Sequence, residues 1–181
     1  MKNILLFAAL LVVGTASAQK INWMTMEEAL AAQAKNPKKI FVDMYTNWCG
    51  PCKLLDRNTF SNKDLISYMN KNFYAVKFNA EGNDVVKYKT RTFTNPGYDP
   101  AKAMRRNSQH QFANHMGVRA YPTVLFLDTD GSLINRVKGY KTAQQMELYL
   151  KLFGTELWKT INTQESFNNY YENFQPEFSS K

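Results

Sequence analysis

A pair of cysteines separated by two residues constrains this chain more than any other feature. Cys49 and Cys52 are the only cysteines in the sequence, and residues 48–53 read Trp-Cys-Gly-Pro-Cys-Lys. A disulfide between them would close a very short loop, whereas stabilisation by a disulfide grows with loop length. A purely structural bridge would therefore contribute little, and the spacing indicates redox chemistry or metal binding instead.

The residues around the pair favour a dithiol that cycles between reduced and oxidised forms. Residues 39–45 predict a strand buried on both faces, and residues 53–58 predict a helix. Cys49 would then lie exposed at the helix N-terminus, where free N–H groups and the helix dipole favour a thiolate. Cys52 would lie one turn on, more buried, where it can resolve a mixed disulfide.

The other residues of the run suit the same arrangement. Pro51 has no N–H group and fits the first turn of a helix. Gly50 lets the backbone bend without a side chain in the way. Trp48 offers a large flat surface beside the sulfur for a docking partner.

Metal binding is the weaker interpretation. Zinc takes four ligands, and one pair of cysteines supplies two. His110 and His115 are the only histidines, and they are far from Cys52 in the sequence. We therefore expect no metal, and we expect both histidines to lie on the surface or in a helix without a special role.

The first eighteen residues predict a cleaved signal peptide. Lys2 supplies a positive start, residues 4–13 are apolar, and residues 16–18 read Ala-Ser-Ala, which signal peptidase accepts. An uncleaved anchor is the alternative, but the apolar run is short for a bilayer. We expect cleavage after Ala18 and an exported protein without stable membrane insertion, periplasmic if the source is Gram-negative.

Composition points to one globular domain with a basic surface. The sequence is 44% hydrophobic and 14% aromatic, with a net charge of +8 and a pI near 9.4. Nucleic-acid binding would need a basic stripe with interleaved aromatics, but the cations are scattered and Arg105-Arg106 is the only pair of arginines. We expect no nucleic-acid partner, while a weak attraction to acidic partners stays open.

Hydrophobic periodicity and capping signals predict alternating helices and strands in the first half. Thr25 and Glu28 form a capping-box pattern. Helices are predicted over 25–34, 53–58 and about 62–69, and strands over 39–45 and 73–79. This alternation predicts an α/β unit with parallel pairing.

The second half predicts an insertion, a hairpin and a last helix. Residues 81–100 are predicted to be irregular, with a helical turn over 85–88, and residues 101–116 predict a helix with Met104, Phe112 and Met116 on one face. Strands follow over 124–127 and 132–138, a helix over 142–153, and a tail that begins with a helix over 156–161.

The run at 48–53 resembles the motif of the thioredoxin superfamily, and the resemblance extends over residues 39–153. Asp43 stands where thioredoxins carry a buried acid, and Lys77 stands where they carry its companion lysine. Residues 121–123 (Tyr-Pro-Thr) resemble the cis-proline loop, and Gly139 resembles the glycine before the last helix.

The resemblance implies an α/β thioredoxin fold, in which helices flank a central mixed sheet of four or five strands. The thioredoxin-like domain would span 19–154, with an insertion over 81–109 before the cis-proline strand and a C-terminal extension over 155–181.

The resemblance also implies roles for individual residues. Asp43, with a pKa raised by burial, would accept the proton of Cys52, and Lys77 would tune that pKa. Pro122 would be cis, and Tyr121 would present backbone groups to an extended partner. Tyr121 replaces a small aliphatic residue of the family, which bears on the choice of partner.

Together these features predict a thiol–disulfide oxidoreductase that reduces protein disulfides and needs no cofactor beyond the Cys49–Cys52 disulfide. We expect a monomer that receives electrons from a membrane or thioredoxin-type donor. The alternative is a protein-binding or chaperone-like module using the groove between Trp48 and Pro122. The aromatic residues of the tail at 170–176 would support it, unless they pack back onto the domain.

Overall fold

The computed structural model describes residues 20–180, so the signal peptide and its cleavage site lie outside the described residues. The strands, numbered in chain order, are β1 (Trp23–Met24), β2 (Lys39–Tyr45), β3 (Phe73–Asn79), β4 (Val86–Tyr88), β5 (Arg91–Phe93), β6 (Thr123–Leu127) and β7 (Leu133–Lys138). The helices are α1 (Met26–Lys35), α2 (Gly50–Asn58), α3 (Lys63–Asn72), α4 (Gln111–His115), α5 (Ala143–Gly154) and α6 (Gln164–Asn173).

Five strands form one mixed sheet in the order β1-β3-β2-β6-β7. β2 pairs in parallel with β3 and antiparallel with β6, and β7 continues the antiparallel half. The predicted bounds of β2 and β3 are confirmed, and so is the antiparallel return through β7. The capping box is also confirmed, because Thr25 N donates to Glu28 at 2.8 Å and Glu28 N donates to Thr25 Oγ1 at 3.2 Å.

The sheet separates two apolar cores. Successive side chains of a strand point to opposite faces, so Phe41 enters one core while Ile40 and Val42 enter the other. The first core contains side chains of α3 and α5, and the second contains side chains of the insertion, such as Phe93, and of α4, such as Phe112. β2 is therefore covered on both faces, as its apolar run predicted.

Residues 85–116 contain a hairpin and only short helices, so two predictions for this stretch are wrong. Residues 86–88 form β4, which pairs with β5, rather than a helical turn. The predicted helix over 101–116 is replaced by a 3₁₀ turn at Pro100–Lys102 and by α4. Asn107 exchanges hydrogen bonds with the backbone of Asp99 at 3.0 and 2.7 Å, and such side-chain bonds compete with helix formation.

His110 is another correction, because it is fully buried at the N-cap of α4. Its Nδ1 accepts a hydrogen bond from Phe112 N at 3.0 Å, which leaves Nε2 to donate to the Asp84 carbonyl at 2.6 Å. Burial lowers the pKa of His110. The two ring nitrogens thus join Asp84 of the insertion to the start of α4.

The C-terminal residues pack back onto the domain. A 3₁₀ turn at Leu157–Lys159 stands in place of the predicted helix over 156–161, and α6 was missed because its sequence is polar. Phe167 and Tyr170 lie against the first core, and Phe178 is buried in it. Between residues 20 and 180, no helix is long and apolar enough to cross a membrane.

Glu147, on α5, binds the backbone of residues 177 and 178. Its fully buried carboxylate accepts hydrogen bonds from Glu177 N at 2.9 Å and Phe178 N at 2.8 Å, and it forms an ion pair with Lys151 at 2.7 Å. We expect Glu147→Gln to reduce the free energy of unfolding by about 1–3 kcal/mol, because an amide replaces a charged acceptor of several bonds. Urea unfolding measures it, and exposed Glu172→Gln is the control. Equal stability of the two variants would contradict the role of Glu147.

Candidate active site

The two cysteines lie at the junction between β2 and α2. Cys49 is the N-cap of α2, and its Sγ accepts a hydrogen bond from Cys52 N at 3.2 Å. The two sulfurs are joined in a disulfide with an S–S distance of 2.07 Å. Pro51 occupies the first turn of the helix, as predicted. The first sulfur therefore sits where the backbone donors of a helix terminus favour a negative charge when the pair is reduced.

The prediction that Cys49 is exposed and Cys52 more buried is wrong for this oxidised form. Each residue exposes only 2% of its surface. The exposed part of the first turn is formed by Gly50 and Pro51 instead. A Cβ atom added at Gly50 would meet no other atom within 4 Å, so packing does not require a glycine at this position.

Asp43 and Lys77 are direct neighbours in the sheet, at the same register of β2 and β3. Lys77 Nζ lies 2.8 Å from Asp43 Oδ2, and it also forms an ion pair with Asp56 on α2. The rings of Trp23, Tyr45 and Phe60 lie 5.0–5.3 Å from the same ammonium group. Sequence reasoning missed Asp56 as a second carboxylate in contact with Lys77.

The environment of Asp43 raises the pKa of its carboxyl group and so favours protonation more than water does. Its side chain is fully buried, and neither carboxylate oxygen accepts a hydrogen bond from residues 20–180, since Lys77 is close but not aligned for one. Burial raises the pKa of Asp43 to about 6, against the opposing effect of the Lys77 ammonium. Burial lowers the pKa of Lys77, but the carboxylates of Asp43 and Asp56 outweigh it and keep that pKa above its ordinary value.

The proline loop reaches the same end of the sheet. The Tyr121–Pro122 peptide bond is cis, as predicted, and Pro122 is buried. The next residue, Thr123, pairs with Met44 near the end of β2 that leads to the cysteines. The ring of Tyr121 lies edge-on to Trp48, with 6.0 Å between centroids.

Residues of the insertion contact Trp48 and Asn47 beside the motif, and the sequence did not predict these contacts. Trp48 Nε1 donates to Glu81 Oε2 at 2.7 Å, and Asn107 N donates to the same oxygen at 2.8 Å. The guanidinium of Arg106 lies 4.8 Å from the centre of the Trp48 ring. Asn47 Nδ2 donates to the backbone carbonyl of residue 103 at 2.7 Å. Trp48 is therefore held in place by residues of the insertion.

A mixed sheet, a disulfide at a helix N-terminus, a buried carboxylate and a cis-proline at the same end define a thioredoxin-fold protein with an oxidised C-x-x-C pair. The thioredoxin-like domain family matches residues 26–154, and the chain belongs to this family. A thioredoxin-fold protein from Helicobacter pylori superposes with a TM-score of 0.59 at 18% identity, over 76% of this chain and 82% of the other. The predicted fold is thus confirmed.

Two relatives carry names that describe thiol–disulfide exchange. The thiol:disulfide interchange protein DsbD of Pectobacterium atrosepticum is 25% identical over 125 residues, which are 68% of this chain and 18% of that protein. The thiol-disulfide oxidoreductase ResA of Bacillus thuringiensis subsp. konkukian is 26% identical over 114 residues, which are 63% of this chain and 62% of that protein. The chain thus spans less than two thirds of either relative.

Proposed function

We propose that the protein is a thiol–disulfide oxidoreductase that acts through a mixed disulfide on Cys49. The observation that carries the proposal is the Cys49–Cys52 disulfide at the N-terminus of α2. A helix terminus stabilises a thiolate there, and the second sulfur is already within bonding distance. The names of both relatives support the same class of reaction.

The reaction that we propose transfers two electrons from the reduced dithiol to a protein disulfide. The Cys49 thiolate attacks one substrate sulfur, so that a mixed disulfide forms and the other substrate sulfur leaves as a thiolate. Cys52 then gives up its proton, for which we assign Asp43 as the acceptor, and attacks the Cys49 sulfur. This step restores the Cys49–Cys52 disulfide and releases the second substrate thiolate.

Several finer assignments belong to the same proposal. We assign the reducing direction, protein disulfides as substrates, an external dithiol such as a membrane or thioredoxin-type protein as electron donor, and no further cofactor. Export after cleavage at Ala18 would place the reaction in the periplasm of a Gram-negative cell. The chaperone-like alternative has lost part of its support, since Tyr170 of the aromatic tail packs against the first core, although Tyr171 is exposed.

An insulin-reduction assay tests the activity and its direction. We expect catalytic precipitation of insulin when a reductant regenerates the dithiol, and stoichiometric reduction without one. The reduction potential of the Cys49–Cys52 pair should lie nearer to that of reducing thioredoxins, about −270 mV, than to that of strong oxidants, about −120 mV. A value at the oxidising end would overturn the assigned direction.

A Cys52→Ala variant is expected to accumulate mixed disulfides on Cys49, because the sulfur that would resolve them is missing. Non-reducing gels of cell extracts, followed by mass spectrometry of the bands that reductant dissolves, measure the trapped partners. The matched control is the double variant Cys49→Ser/Cys52→Ala, in which these bands should be absent. A single variant that traps nothing from the extract would count against the mechanism.

A further inference from the structure

A groove of about 380 Å³ lies beside the motif and carries two arginines. Trp48 lines it from the motif, Arg106 from the insertion and Arg119 from the loop before the cis-proline. The side chains of Glu81, Gln109 and Tyr121 also line it. Residues from three separate segments thus surround one surface next to the Tyr121–Pro122 bond.

The two guanidinium groups have no carboxylate partner among residues 20–180. Both arginines are exposed; Arg106 lies over the Trp48 ring, and neither takes part in an ion pair within that range. The carboxylate of Glu81 is the one acidic group in the groove lining, and two N–H donors already occupy one of its oxygens. The groove therefore has an excess of positive charge with free donors.

We propose that this groove binds an extended segment of the substrate protein with an aspartate or glutamate beside the disulfide-bonded cysteine, and that Arg106 and Arg119 select its carboxylate. Guanidinium groups bind carboxylates through paired, charge-assisted hydrogen bonds. The net charge of +8 adds a long-range attraction for acidic partners. A basic segment would instead bring like charges together. This inference rests on the proposed function.

Hydrogen bonds attach the segment that carries Arg106 to the rest of the domain on both sides. Asn107, next to Arg106, bonds to Glu81 through its backbone and to Asp99 through its side chain. Asn47, next to Trp48, bonds to the backbone of residue 103. Arg106 is therefore carried by a segment fixed at both sides, which limits the entropy lost when it binds a carboxylate.

Reduction of three matched peptides by the full chain tests this inference. The peptides contain one disulfide and differ only in the residue beside each cysteine, which is glutamate, glutamine or lysine. We expect kcat/KM to be about tenfold higher for the glutamate peptide than for the lysine peptide, as one charge-assisted contact would give. Raising the salt concentration should reduce this ratio.

Variants of the two arginines test whether the preference for the glutamate peptide arises in the groove. In Arg106→Gln/Arg119→Gln the ratio should fall towards one, and in Arg106→Glu/Arg119→Glu the lysine peptide should become the better substrate. Loss of folding cannot produce such an inversion. Arg105→Gln is the matched control, because Arg105 is exposed beside Arg106 but does not line the groove, and it should keep the parent's ratio.

The outcomes separate this inference from the proposed function. Equal reduction of all three peptides by the parent chain would overturn the carboxylate preference while leaving the oxidoreductase proposal in place. A preference that survives charge reversal would also overturn the role of the arginines. If the parent reduced none of the peptides and did not reduce insulin, both the function and the inference would fall.

Discussion

A Cys49→Ser variant is expected to lose all catalysed disulfide reduction, leaving only the uncatalysed rate of the added reductant. A hydroxyl group does not form a mixed disulfide, so the first step of the proposed reaction disappears. The fold should be kept, because serine is among the preferred N-cap residues and its Oγ can accept the hydrogen bond that Cys52 N donates to Cys49 Sγ. We expect unfolding free energies within about 1 kcal/mol of the parent when both are measured in reductant.

The matched variant Cys52→Ser decides which sulfur attacks first. Both cysteines are 2% exposed, so accessibility in the oxidised form does not distinguish them, whereas the N-cap position of Cys49 does. Cys52→Ser should form a mixed disulfide with a substrate in a single turnover, and Cys49→Ser should form none. Mass spectrometry of the quenched mixture measures both. A mixed disulfide on Cys52 in the Cys49→Ser variant would reverse the assigned roles.

The sheet and the motif could be predicted because their signals are local. The apolar run of β2 continues without a break except at Asp43, which marks a strand covered on both faces. Thr25 and Glu28 mark a helix start that depends on neighbouring residues alone. The resemblance then placed Lys77 beside Asp43, and the parallel register confirms that pairing.

The contacts between the insertion and Trp48 could not be predicted, because they depend on polar groups that are distant in sequence. Glu81 and Asn107 are far apart in sequence, and the hydrogen bond between them forms where the spacing of Met104 and Phe112 had predicted a helix. Met104 is in fact 69% exposed, while Phe112 is fully buried. Asp56 was missed for a related reason, since a partly exposed carboxylate on a helix has the same sequence pattern whether or not a lysine of another strand contacts it.

Asp43→Asn is expected to change how stability depends on pH. In the folded protein the pKa of Asp43 is raised to about 6 from its ordinary value of 3.8. Between these values the folded state binds more protons than the unfolded state, so the contribution of Asp43 to stability is fully present below pH 3.8 and is lost as the pH rises through 6. Asparagine cannot ionise, so the Asp43→Asn variant does not lose this stability as the pH rises.

The stability difference between Asp43→Asn and the parent should therefore shift by about 3 kcal/mol in favour of the variant between pH 3 and pH 8. Titrating groups that are not coupled to Asp43 contribute equally to both proteins and cancel in the difference, and the coupled carboxylate of Asp56 is tested separately. Urea unfolding of the oxidised proteins at pH 3, 5 and 8 measures it. The same substitution should slow resolution of the mixed disulfide, because the proposed proton acceptor is absent.

Asp56→Asn is the matched control, because it removes the other carboxylate that contacts Lys77. The side chain of Asp56 is 45% exposed, and ion pairs of this kind typically contribute less than about 1 kcal/mol. The negative charge of Asp56 also helps to raise the pKa of Asp43, so its loss should move the midpoint of the pH dependence to lower pH without abolishing it. Parallel stability curves for the parent and Asp43→Asn across pH 3–8 would contradict the buried-acid assignment, whereas a stability difference that grows in favour of Asp43→Asn as the pH rises would support it.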